Sequence, residues 1–253
     1  MVAAPEIRVI GIAGIPRVGD GDDLAALIVE AAAAQDTPLA DGDVLAVTQR
    51  VVSAMEGRVV PRDSFEPSPY ARAWAERWDK DPRVTEAVLQ ESARVVRQLR
   101  GVLITQTHHG LICANAGIDG SNVGGEEWIS LLPVDPDGSC RALRERLREL
   151  AGVEVAIVMT DTFGRPWRNG QTNIAIGVAG IAPLRNYVGL PDMDGVELRV
   201  TEICVADEIA GASELVMGKL DGIPVAIVRG YRFEAADGEA AEIVRGPELD
   251  LFP

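Results

Sequence analysis

Residues Glu154–Thr172 read EVAIVMTDTFGRPWRNGQT, and the change of character inside this stretch decides the fold. The first part is a short apolar run rich in β-branched residues, the pattern of a strand buried on both faces. The second part is polar and carries Asp161, Thr162, Arg165 and Arg168, so the strand is expected to run straight into a polar loop. The pattern also occurs upstream. GVLITQT (Gly101–Thr107) and GLICA (Gly110–Ala114) read as strands, and they deliver NAGIDGSNVGGEE, Asn115–Glu127. Gly, Asn, Asp and Ser are ordinary turn residues. The glycines also permit the positive-φ backbone that lets a main chain approach a ligand.

Working outward from these two loops, strands and helices alternate. EIRVIGIAGI (Glu6–Ile15) is a strand ending in glycine, and DDLAALIVEAAAAQ (Asp22–Gln35) has helical spacing with acidic residues at its start. VLAVTQRVV (Val44–Val52) is expected as a strand ending near Ser53. SPYARAWAERW places Ser before Pro at a helix start, and DPRVTEAVLQESARVVRQL (Asp81–Leu99) continues with apolar residues on one face. Together they predict a helical insertion at about 65–100 that ends at Gly101. DPDGSCRALRERLREL is a helix capped by Asp or Ser, VELRVTEICVADEIAGASELVMG passes from strand into helix, and IPVAIVRG is a last strand. The acidic tail, at about 231–253, is expected to be peripheral to a single unit formed by the whole chain.

The chain has 253 residues, 47% hydrophobic and 25% charged, which is enough to bury a sizeable core and argues against disorder. Its net charge of −15 disfavours nucleic acid and anionic membrane surfaces as partners. No apolar run reaches the ~18 residues of a membrane span, and the start lacks a basic secretory n-region, so a cytoplasmic location is expected. Cys113, Cys140 and Cys204 are odd in number and lie in apolar surroundings, as core thiols do. His108 and His109, being adjacent, would point to opposite faces of a strand and cannot share a metal. Tyr70, Trp74 and Trp78 at helical spacing are read as packing.

An acidic protein can still bind a polyphosphate if a few cations meet its charge locally. Asp161 and Thr162 offer hard oxygens of the kind Mg²⁺ or Mn²⁺ accepts, and Asp119 offers another from the first loop. An Asp at a strand end is more commonly a cap or turn former. Arg165 and Arg168 beside Asp161 favour a phosphoryl group, because positive charge stabilises the transition state of its transfer. Neither a P-loop nor a G-x-G-x-x-G fingerprint is present, so any nucleotide pocket is of another kind.

Seven segments, GIPRVGDGDDL, DGDVLAVTQRVVSAMEGRVV, ANAGIDGSNV, LLPVDPDGS, TDTFGRPWRNGQT, AIGVAG and VADEIAGASELVMGK, occur in an order and spacing that resemble the coenzyme F420-0:L-glutamate ligase family. The resemblance spans roughly Gly14 to Gly230. It implies a mixed α/β fold forming an intertwined homodimer, and a GTP-dependent ligase using Mg²⁺ or Mn²⁺ with K⁺. The implied substrates are the F420 precursor, L-glutamate and GTP, joined through an acyl phosphate. On the family's positions, Asp119, Asp161 and Thr162 are metal-binding. Asn122, the segment Ile15, Pro16, Arg17 and Val18, Gln49 and Arg50, and the segment Met217, Gly218, Lys219, Leu220, Asp221, Gly222 and Ile223 are nucleotide-binding. Related bacterial proteins can carry a flavin-binding reductase domain, which makes such a domain or partner an expectation here too.

Two positions depart from the family pattern. Ala54 stands where VSKAEG has lysine, and Lys219 stands where some members have an acidic residue. Lys219 could supply the charge lost at position 54, with Asp221 replacing the acid. Two alternatives therefore stand beside the ligase: a metal-dependent ligase or phosphotransferase with altered nucleotide or substrate, and a non-catalytic nucleotide-binding module.

Overall fold

The computed structural model describes residues 4–120 and 124–249. Its centre is a five-stranded sheet ordered β1 (Arg8–Gly11), β12 (Val225–Arg229), β2 (Val44–Thr48), β8 (Ala156–Arg165) and β9 (Arg168–Ala179). β2 and β8 run parallel, and the other neighbours are antiparallel. The apolar runs of β2 and β8 are buried on both faces. Leu45, Val47, Ile157 and Met159 face one cluster with Leu24, Ile28, Leu143 and Leu147 of helices α1 (Leu24–Ala34) and α5 (Pro136–Ala151). Val44, Ala46, Ala156 and Val158 face a second cluster with Ala206, Ile209 and Ala210 of α6 (Val205–Met217). Strict period-two alternation thus sends neighbouring residues into different cores. Each fully buried Leu or Ile stabilises by roughly 1.5–3 kcal/mol relative to exposure.

Local chemistry sets the helix ends. Asp23 and Asp135 cap α1 and α5 by accepting from the N–H groups of Ala26 and Gly138, and Gly152 ends α5 in a left-handed conformation. Ser68 caps α3 (Pro69–Trp78) and Asp81 caps α4 (Pro82–Gln90), each with Pro at the helix start. These two helices pack with an antiparallel sheet of β4 (Ser92–Leu99), β5 (Val102–Thr107) and β6 (Ile112–Ala114), and with the pair β3 (Val59–Pro61) and β7 (Trp128–Ser130). Tyr70, Trp74 and Trp78 stack along α3, with Trp74 packed against Val88 and Leu103. Farther along the chain, β10 (Leu184–Asn186) and β11 (Glu202–Cys204) form one more pair.

Four readings of local structure change. β2 ends at Thr48, and Gln49–Met55 form helix α2. No turn residue interrupts QRVVSAM, and the Ser53 hydroxyl closes one helical turn onto Gln49 Oε1 at 2.8 Å. The helical insertion stops at Gln90: residues 92–99 are strand β4, paired with β5, because the β-branched Val95 and Val96 find a partner strand there. TDTFGRPWRNGQT is not a loop but the continuation of β8 into β9, turning only at Pro166 and Trp167, since Thr and Phe suit a strand even among polar residues. The histidines lie in the β5–β6 turn, not on a strand. His108 and His109 each donate from Nε2 to a carbonyl, of Gln90 and of Pro133, both at 2.9 Å.

The described part of the acidic tail, residues 231–249, is docked rather than peripheral. Tyr231, Phe233 and Ile243 pack on the second cluster, and Asp137 accepts from both Val178 N–H of β9 and Ala240 N–H of the tail. Cys113 and Cys140 are buried thiols, as their apolar surroundings implied, whereas Cys204 is only partly buried because it lies at the end of β11, where α6 starts. Among the described residues no helix is long and apolar enough to cross a membrane.

Candidate functional site

β2 ends opposite Thr160, so β8 continues past it without that neighbour. Asp161 is the first residue beyond this point. Its carboxylate folds back along the strand, and Thr162 N–H donates to Asp161 Oδ1 at 2.8 Å. Asp119 arrives from the other loop, bridged to Ser130 of β7 through both backbone groups. The turn that brings it there is strained: Asn115, Ala116 and Gly117 all have left-handed φ, of 51°, 54° and 71°. Asn115 offsets part of this cost by accepting from Leu103 N–H through its side chain.

Burial, with the charge of Asp119 adding to it, raises the Asp161 carboxyl to about 6, although Thr162 N–H, Lys219 and Arg50 act in the opposite direction. Arg50 Nη2 lies 3.7 Å from Asp119 Oδ2. Two carboxylates and two cations therefore share one edge of the sheet. Burial and the nearby Asp161 also push the Cys113 thiol up to about 12, which makes it an inert core residue.

Arg50 and Lys219 also line a cleft of about 740 Å³. Its walls come from the loop after β1 (Ile15, Pro16, Arg17, Val18), one side of α2 (Arg50, Val51, Ala54), β3 and β7 (Val59, Trp128), and the turn after α6 (Gly218, Lys219, Leu220, Gly222, Ile223). Ile15 and Val18 are buried anchors that leave Pro16 and Arg17 exposed between them. Two glycines are required by their positive φ, and a side chain at either would also displace a neighbour. At Gly124 a side chain would meet the Arg17 guanidinium at 2.7 Å, and at Gly218, with φ of 57°, it would overlap the Asp221 carboxylate. Among charged lining residues, Arg17, Arg50 and Lys219 outnumber the lone Asp20. That local excess of positive charge, in an acidic protein, suits an anionic ligand.

The structure thus gathers most of the expected nucleotide-binding positions and sets others apart. Gln49 is 2% exposed, with its side chain turned to Ser53, and Met217 is fully buried in the core. Asp221 lies in the same turn as Lys219 but outside the lining. Asn122 lies outside the described residues. Thr162 leaves the opposite face of β8 from Asp161, as alternation requires. Its hydroxyl donates to Asn173 Oδ1 at 2.8 Å rather than joining the carboxylates. Arg165 and Arg168 face each other at the exposed hairpin tip, where Arg165 donates to Asn169 O. At about 3.3 Å per residue the strand carries Arg165 roughly 13 Å from Asp161. Neither arginine lines the cleft.

Among the described residues no cluster of three or more His, Cys, Asp or Glu side chains has the arrangement to hold a metal ion. Asp119 lies near enough for its charge to act on Asp161, and Mg²⁺ is a cation that takes one or two carboxylates and completes its shell with water and phosphate oxygens.

A family model described as F420-0:gamma-glutamyl ligase matches residues 13–230, from the loop after β1 to the end of β12. The chain belongs to that family. It is 44% identical over its whole length to a coenzyme F420:L-glutamate ligase of Methanopyrus kandleri, all of which it covers. The protein of the same name from Methanothermobacter thermautotrophicus is 42% identical over 97% of this chain and 98% of that one. The one from Methanocaldococcus jannaschii is 37% identical over 98% and 97%. Within this glutamyl ligase fold, Asn173 and Glu214 are site-adjacent residues that sequence reasoning missed. No motif in the sequence singles out either residue. Only the pairing of β9 with β8 and the packing of α6 bring them together.

Proposed function

We propose that this chain is a GTP-dependent ligase that joins L-glutamate to the F420-0 deazaflavin precursor through an amide bond. The observation that carries this reading is the cationic cleft beside the Asp119–Asp161 pair, in a protein whose net charge is −15. The family assignment supplies the class of reaction.

In this reading a precursor carboxylate oxygen attacks the γ-phosphorus of GTP, the bond to the bridging oxygen breaks, and GDP leaves. The glutamate amine then attacks the acyl carbon of the resulting acyl phosphate. A C–N bond forms, the C–O bond to phosphate breaks, and the ammonium protons pass to solvent. Carboxylate oxygen is a poor leaving group and phosphate a good one, so the nucleotide is what makes the amide accessible. Arg17, Arg50 and Lys219 hold the phosphates, and the apolar wall of Val51, Ala54, Val59, Trp128 and Ile223 takes the flat part of the nucleotide. Asp119 and Asp161 would hold a Mg²⁺ or Mn²⁺ ion, whose chemistry is to neutralise charge on the transferring phosphoryl group. Lys219 and Ala54 both line the cleft, which supports Lys219 as the cation that replaces the family lysine.

The reading includes a homodimer. It is supported by exposed apolar residues on two projecting hairpins: Val188, Leu190, Met193, Val196 and Val200 on the arm between β10 and β11, and Trp167 at the β8–β9 tip. Monomeric proteins rarely display so many large apolar side chains in one segment.

The test is incubation of the protein with the precursor, isotopically labelled glutamate, GTP and Mn²⁺, followed by mass spectrometry. A mass gain of labelled glutamyl units on the precursor, with stoichiometric GDP, is expected. GDP release without any labelled amide would overturn the reading.

A further inference from the structure

A partly buried line of hydrogen bonds runs behind the site. The Thr162 hydroxyl donates to Asn173 Oδ1 at 2.8 Å, and Asn173 Nδ2 donates to Glu214 Oε2 at 2.9 Å. Asn173 is 3% exposed. Its orientation is decided chemically, because an ionised carboxylate only accepts, so the amide nitrogen must face Glu214 and the amide oxygen must face Thr162. Thr162 in turn gives its backbone N–H to Asp161, which joins the line to the carboxylate pair.

At its other end the line reaches the cleft by a second route. Glu214 lies in the last turn of α6, and its backbone carbonyl accepts from Gly218 N–H at 3.0 Å, closing the helix. Lys219 follows directly and lines the cleft. Glu214 is therefore held twice, by its side chain to β9 and by its main chain to the turn that presents Lys219. We propose that Asn173 and Glu214 are positioning residues of the nucleotide cleft: they clamp the end of α6 to the β8–β9 hairpin and so set Lys219 against Asp161 and the bound phosphates. This rests on the reading of the cleft as a GTP site.

The polar clamp differs from simple packing in what it controls. α6 is also held by Ala206, Ile209 and Ala210 in the second core cluster, toward its start, and by the buried Met217 at its end. The clamp acts on the last turn, where a small displacement moves Lys219 without unfolding the helix.

The experiment is calorimetric titration of GTP with Mn²⁺ into the full chain and into Asn173→Asp, Glu214→Ala, Glu214→Gln and Lys219→Ala variants, each checked by thermal melting. Asn173→Asp sets a carboxylate against Glu214. It should weaken GTP binding about tenfold, the lower end of what outer-shell partners of a binding residue typically contribute. Glu214→Ala should do the same, whereas Glu214→Gln, whose amide oxygen can still accept from Asn173, should bind within about twofold of the unchanged chain. The deciding measurement is the double change Asn173→Asp with Lys219→Ala. If the clamp acts through Lys219, the second substitution adds little once Lys219 is gone. Fully additive losses, or affinities unchanged in all folded variants, would overturn the clamp while leaving the GTP reading intact. Absence of GTP binding by the unchanged chain would overturn that reading and the clamp with it. Should Asn173→Asp not fold, Glu214→Ala combined with Lys219→Ala gives the same cycle.

Discussion

The two ends of the β8–β9 hairpin are made by the same pair of strands and have opposite fates. At the base, Ile157 and Met159 enter one core and Val158 enters the other, and Asp161 follows where β2 has stopped. At the tip, Arg165, Trp167 and Arg168 are exposed, with Trp167 80% accessible. Both ends carry residues that could serve phosphoryl chemistry. Only the base can hold a charged group in fixed geometry, because neighbouring elements remove water around it and restrict its motion. At Asp161 burial raises the carboxyl above its ordinary value, whereas the tip arginines are exposed to water. Proximity along a strand is therefore a poor guide to proximity in a site.

The sharpest way to break this comparison is to replace the base carboxylate. Asp161→Asn keeps the shape and an oxygen that accepts from Thr162 N–H, but removes the charge. Ligation should fall by about a thousandfold or more if the carboxylate helps hold a catalytic cation. The same change should make the fold more resistant to urea at neutral pH in chelator, because a carboxylate that folding partly desolvates is no longer charged there. A variant that keeps ligating, or that is less stable than the unchanged chain, would contradict the contrast between base and tip.

Arginines provide the next test. Arg50→Ala removes a cation from the cleft and should raise the KM for GTP by about tenfold or more, as expected for a charged contact. Arg165→Ala, at the tip, should change it by less than about threefold. Steady-state kinetics at varied GTP would settle it; equal effects would bring the tip into the site. Sedimentation then asks what the projecting hairpins are for. Met193→Asp, at a fully exposed position on the arm, should weaken self-association about tenfold or more while leaving the melting temperature of the protomer nearly unchanged. No change in association would leave the exposed apolar residues without a partner of this kind.

The smallest effect lies far from the hairpin, in the helical lobe. Asp81 caps α4, and its hydrogen bond to the Arg83 side chain holds the carboxyl below its ordinary value despite partial burial. A depressed carboxyl stabilises above its unfolded value and loses that contribution as pH falls through its folded value. Asp81→Ala should therefore cost about 1 kcal/mol at pH 7. The difference should shrink as pH is lowered below about 4. Denaturant melts across that range would show it; a cost independent of pH would mean that the charge plays no part.

Sequence by itself determined the order of most elements and the two segments that carry the site carboxylates. It could do so because burial on both faces writes itself as continuous apolar runs in β2, β8 and β12, and because Asp and Ser-Pro mark helix starts at Asp23, Ser68 and Asp135. The family resemblance grouped Ile15–Val18, Gln49 and Arg50, and Met217–Ile223, and of these all but Gln49, Met217 and Asp221 line one cleft. Tertiary structure alone decided the rest. Residues 92–99 carry an amphipathic pattern compatible with helix, and became strand because β5 was there to pair with them. Thr162 was adjacent to Asp161 in sequence, yet one step along a strand turns a side chain to the other face, toward Asn173 and α6. Asn173 and Glu214 are 41 residues apart, and nothing local to either announces the other. The physical reason is common to all three: propensity and period act over a few residues, whereas strand pairing, facing and buried hydrogen bonds depend on which distant segment arrives.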